Sequence, residues 1–151
     1  MILFDTNALV VLIVGLIDEN LIEKHKRTSL YTKNDFYNLI KVIENIENLI
    51  VLPNIWTEVD NLLNNFSGNN KYHYINNLKQ LIEKTTENYL STSQSINSEY
   101  FSEIGITDSL ILQLAEKCNF IITSDTKLSD YANANGIKVY DMIKRRNQDF
   151  K

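Results

Sequence analysis

The sequence predicts an α/β fold: a three-layer α/β/α sandwich around a mainly parallel central sheet of four to five short strands. Three observations predict it. Short apolar runs at residues 1–4, 49–52 and 120–122 read as buried strands, and Ile-Lys-Val-Tyr at 137–140 reads as a fourth. Between them, apolar residues recur at helical spacing, so strands and helices alternate along the chain. One proline and four glycines in 151 residues leave too few turn formers for a loop-rich all-β fold.

The elements follow in order. The first strand, Met-Ile-Leu-Phe, stops at Asp5. Asp5, Thr6 and Asn7 offer capping side chains to a helix expected from about Ala8 to Lys24. Its apolar stretch, residues 9–17, is far short of the ~20 residues that span a bilayer. An acid rather than a basic run precedes that stretch, which argues against a secretory signal. A buried core helix and no membrane association are expected. A second helix is expected from Asp35 to about Asn48, on the spacing of Phe36, Leu39, Ile40, Ile43 and Ile46. The strand at 49–52 is stopped by Pro53, and Asn54 can cap the helix that turns Ile55, Val59, Leu62 and Leu63 inward.

Residues 67–70 read as a polar loop, 72–88 as a helix and 90–98 as a serine-rich loop. Thr107 and Asp108 open a strongly apolar helix that leads to the strand at 120–123. A short helix over 128–135, stopped by Gly136, precedes the strand at 137–140. Four strands are few for a sheet covered on both sides, so a weak fifth is expected near Tyr89-Leu90 or Ser95-Ile96. With no repeat and no linker, residues 1–143 form one domain and 144–151 a basic tail that frays.

Charge and cysteine content narrow the function. Cys118 is the only cysteine, so no internal disulfide and no cysteine metal cluster can form. That suits a reducing cytoplasm, with Cys118 as a small buried hydrophobe. A net charge of −4 disfavours a nucleic-acid binder. Two basic clusters offset it: Lys24, His25, Lys26 and Arg27, and Lys144, Arg145 and Arg146. Each is equally a solvated helix end or a phosphate contact.

Four acids stand where a parallel sheet collects its functional groups, beyond the carboxyl ends of the strands. Asp5 and Asp125 directly follow strands. Glu58 lies about one turn into the helix after Pro53, and Asp108 opens its own helix. Singly, each has a bland alternative as a helix cap, a turn residue or a first-turn acid. Together on one rim, they repel and demand a counter-charge, which a hard divalent cation with oxygen ligands supplies.

The ordered set resembles the PIN-domain nucleases. Phe4-Asp5-Thr6-Asn7 is similar to that family's opening motif, and residues 53–59 with Glu58 resemble its second. Residues 106–112 with Asp108 resemble the third, and residues 121–128, of the form Thr-x-Asp-x-x-Leu, the fourth. The resemblance implies one or two Mg²⁺ or Mn²⁺ ions bound by Asp5, Glu58, Asp108 and Asp125, which activate water for in-line attack on an RNA phosphodiester. It implies products with 5′-phosphate and 3′-hydroxyl ends, and a single-stranded or structured RNA substrate. Asn7 and Thr123 are expected to orient ligands or a phosphate. The toxin branch of the family implies an antitoxin protein in the acidic cleft, and a homodimer is compatible with the likeness. Both spacers, Asp5 to Glu58 and Glu58 to Asp108, are longer than in compact toxin members. The alternative is a non-catalytic PIN-like module that binds RNA or protein. His25 and His73 lack a partner pattern for acid–base ribonuclease chemistry. Trp56, Tyr72 and Tyr74 are candidates for base stacking, with core packing the plainer role for Trp56.

Overall fold

A computed structural model describes residues 1–149, with side chains through Arg146. The elements are β1 (Ile2–Phe4), α1 (Thr6–Ile17), α2 (Lys33–Ile43), β2 (Leu49–Val51), α3 (Pro53–Leu63), α4 (Gly68–Lys84), β3 (Thr86–Glu87), α5 (Phe101–Ala115), β4 (Phe120–Thr123), α6 (Thr126–Ala134), β5 (Val139–Asp141) and α7 (Met142–Asp149). The five strands form one sheet in the order β3-β2-β1-β4-β5, and every pairing is parallel. Leu3 and Phe4 are successive strand residues that point to opposite faces, and both are fully buried, so helices cover the sheet on both sides.

The apolar run at 9–17 is a core helix. Nine of the twelve residues of α1 are buried, and it packs with α2, α3 and α4 while α5 packs with α6. No helix among the described residues is long and apolar enough to cross a membrane. The helix ends at Ile17 rather than near Lys24. Asp18 adopts an extended backbone, and its side chain accepts from the Asn20 N–H to cap a 3-10 turn, Glu19–Leu21. Short polar side chains that bond the local backbone divert the chain in this way.

Similar local chemistry moves other boundaries. α2 starts at Lys33 because Thr32 and Asp35 form a reciprocal capping box. It stops at Ile43, beyond which Glu44 takes a positive φ of 58°. α3 has Pro53 in its first turn, and Asn54 does not cap it. α4 begins at Gly68, inside the stretch expected to be a loop, and residues 92–97 of the expected serine-rich loop form a 3-10 helix. The fifth strand is β3 at Thr86–Glu87, just before Tyr89. Both its residues are exposed, so only backbone pairing to Ile50 and Val51 defines it and no apolar pattern marks it.

Two further points bear on the site. α5 is broken at Gly105 (φ 77°, ψ −167°), a conformation open to glycine, so Thr107 and Asp108 do open a new helical segment. The expected basic tail is helical from Met142 to Asp149, and Arg146 turns inward. Its guanidinium donates to both oxygens of buried Asp35 and to the Leu30 carbonyl. Residues 150 and 151 lie outside the described residues.

Candidate metal centre

The carboxyl ends of β1 and β4 are adjacent, since Phe4 pairs with Ile122. Asp5 follows β1 and caps α1, its Oδ1 accepting from the Thr6 N–H at 2.7 Å. Its Oδ2 accepts the Thr123 hydroxyl at 2.6 Å. Thr123 is fully buried at the end of β4, and the same hydroxyl oxygen accepts from the Asp125 N–H at 3.0 Å. One buried threonine therefore fixes two acids from neighbouring strands. Asp125 caps α6 through the Leu128 N–H at 3.0 Å.

Glu58 is a helix residue, and its direction is set by two hydroxyls. Thr6 donates to Oε2 at 2.5 Å and Thr107 donates to Oε1 at 3.2 Å. Asn54 braces Thr107 in turn, donating to its hydroxyl at 3.0 Å. These contacts join the starts of α1, α3 and the second segment of α5. The Asp108 carboxyl, next to Thr107, accepts no hydrogen bond among the described residues. All four acids line one cleft of about 650 Å³, together with Asn7, Asn61, Leu62, Ile104 and Ile106. Asn7 is exposed there, whereas Thr123 works beneath the acids.

The electrostatics bind the four into one unit. Burial raises the Asp108 carboxyl to about 7, and repulsion from Asp5, Asp125 and Glu58 adds to it. Asp5 is also raised, by burial first. Its bonds from Thr123 and Thr6 oppose that rise, and the charges of Asp125 and Glu58 reinforce it. Among the described residues, no three of these side chains stand close enough to form a ready-made cage for an ion. The donors fit a hard divalent cation by chemistry, being carboxylate oxygens with an unmet need for positive charge. Holding one requires the side chains to draw together.

Sequence reasoning missed Thr6, Thr107 and Asn54 as braces. The only signal for the two threonines was a hydroxyl next to each acid in its motif. It also missed Tyr31, whose hydroxyl bonds that of Ser124 beside Asp125 from 93 residues away. The other candidates lie elsewhere. His25 packs on Phe66, and burial lowers its pKa. His73 packs edge-on against Tyr72. Trp56 and Tyr74 are buried, and the Tyr74 hydroxyl donates to Asp60 at 2.7 Å, which leaves Tyr72 as the exposed ring of the three. Cys118 is half-buried just beyond the end of α5, its thiol 3.5 Å from the Leu114 carbonyl.

No family model matches the chain, and no curated protein matches it in sequence. Among solved structures it is similar to a domain of a functionally unknown protein from Methanocaldococcus jannaschii DSM 2661. The likeness covers 93% of this chain and 89% of that one, at 18% identity and a TM-score of 0.46.

Proposed function

We propose that this chain is a divalent-metal-dependent ribonuclease of the PIN type. The observation that carries the reading is the joint environment of the four acids: Asp5, Glu58, Asp108 and Asp125 line one cleft, where burial and mutual repulsion raise the Asp108 carboxyl to about 7. Such crowding is costly unless a cation or a proton resolves it. A bound Mg²⁺ or Mn²⁺ supplies Lewis acidity and a water that is a good nucleophile at neutral pH.

The chain's own groups have distinct tasks in this scheme. Asp5 and Asp125 would be the principal ligands; Thr123 holds the Asp5 carboxylate and the Asp125 backbone N–H, so both acids start from fixed positions as the side chains draw together on the ion. Glu58, clamped by Thr6 and Thr107, keeps a fixed anionic wall opposite them. Asp108, the most weakly tethered, is free to take up a proton or to swing toward the ion. Asn7 offers an exposed amide to a phosphate oxygen at the cleft mouth. RNA as the substrate comes from the motif resemblance.

Asp5→Asn and Asp125→Asn each keep the side-chain volume and remove the charge. Each variant is expected to remain folded by circular dichroism and to lose Mn²⁺-dependent cleavage of single-stranded RNA. Wild-type cleavage rates in either variant would refute the four-acid scheme. The lack of a ready-made cage favours one second reading, a PIN-like module that binds RNA or protein without turnover. In that case wild-type protein binds RNA and leaves it intact in Mn²⁺.

A further inference from the structure

We propose that the groove along the outer edge of β5 is a track for the phosphodiester backbone of single-stranded RNA. The proposal rests on the nuclease reading for its substrate but not for its test. The fold separates the basic cluster at 144–146 into two parts. Arg146 turns inward to Asp35 and the Leu30 carbonyl. Lys144 and Arg145 are exposed and, with exposed Lys138, line a groove of about 470 Å³ beside β5.

The lining suits a polyanion. Tyr140 stands among the three cations, with the Arg145 guanidinium 5.7 Å from its ring centre. Cations interleaved with an aromatic face are the usual equipment for a single strand. Asp141 is the one carboxylate among the groove residues, and it is buried and occupied. It accepts from the Ser129 hydroxyl and from the Ile143 and Lys144 N–H groups. Lys144 meets Asp130 at 3.9 Å, but both groups are exposed, so a phosphate competes easily.

The position suits the acidic cleft. β5 is an edge strand, and Asp141 pairs with Thr123, the residue that fixes Asp5 and Asp125. Lys144 and Arg145 rise from the same carboxyl rim, one strand beyond β4, while Lys138 precedes the strand at its other end. A strand gripped there enters the cleft from the side of β5. A chain of net charge −4 with an acidic cleft needs such a local counter-field to hold RNA at all.

The test is binding of a fluorescent single-stranded RNA oligonucleotide in EDTA across a salt series, to wild type and to the Lys138→Ala, Lys144→Ala, Arg145→Ala triple variant. Three lost phosphate contacts lower the slope of log affinity against log salt by about 2 and weaken binding at low salt by about tenfold or more. A control triple, Lys71→Ala, Lys79→Ala, Lys84→Ala, changes net charge equally from exposed positions on α4 and is expected to keep the wild-type slope. Equal losses in both triples, or none in the groove variant, overturn the track. So does groove-dependent binding of a poly-glutamate peptide with no RNA binding, which reassigns the groove to an acidic protein. Groove-dependent RNA binding without cleavage in Mn²⁺ supports the track and overturns only the nuclease reading.

Discussion

At the scale of single residues, Asp108 and Thr123 show opposite ways of placing a carboxylate in a crowded cleft. The Thr123 hydroxyl gives a hydrogen bond to one acid and takes one from the backbone of the next, and the bond it gives favours the charged form of Asp5. Asp108 has no such help, and its carboxyl rises from 3.8 to about 7. The folded protein then binds a proton that the unfolded chain releases near pH 4. Its contribution to stability is therefore fully present below that value and is lost as pH rises through about 7. In EDTA, Asp108→Asn is expected to melt above wild type at pH 8, with the gap closing toward pH 4. A gap of constant size across that range would remove Asp108 from the electrostatic account.

At the scale of elements, α1 brings Thr6 and Asn7 to the cleft at its first turn and packs against α2 further along. Gly15 sits inside α1, where glycine costs ~1 kcal/mol relative to alanine. The Phe36 ring occupies the place a β-carbon at Gly15 would take. Phe36 is anchored by burial and by the Thr32–Asp35 capping box beside it, so it yields poorly. Gly15→Ala is expected to cost about 1–3 kcal/mol from overpacking, more than the helix propensity returns. A urea midpoint above wild type would show that the ring moves freely, and adding Phe36→Leu is expected to recover part of the loss. Strands and helix ends also differ in how far the sequence reveals them. The apolar runs of β1, β2 and β4 and the positions of Asp5 and Asp125 were legible because a buried apolar run ends where its strand ends. β3 was not, because Thr86 and Glu87 carry no apolar signal. The end of α1 was misplaced because a competing polar cap at Asp18 decides it. The direction of Glu58 depended on hydroxyls 52 and 49 residues away, which no local pattern contains.

At the scale of the whole molecule, the crowded acids link fold and function through their need for positive charge. A cation that binds the folded cleft and not the unfolded chain stabilises by RT ln(1 + [M]/Kd), about 2.7 kcal/mol at a hundredfold excess over Kd. Protons compete for the same oxygens, and Asp108 releases its own near pH 7. Mg²⁺ or Mn²⁺ is therefore expected to raise the melting temperature of wild type strongly at pH 8 and weakly at pH 5. EDTA is expected to reverse the rise. Asp5→Asn and Asp125→Asn are expected to melt at temperatures nearly independent of the ion, because each removes a principal ligand. The titration separates binding from turnover. A pH-dependent, acid-dependent rise with no RNA cleavage identifies a cation-binding module, whereas the same rise with cleavage identifies the nuclease. If millimolar Mn²⁺ leaves the wild-type melting temperature unchanged at pH 8, the cleft holds no cation, and its crowding is relieved only below about pH 7, where Asp108 keeps its proton.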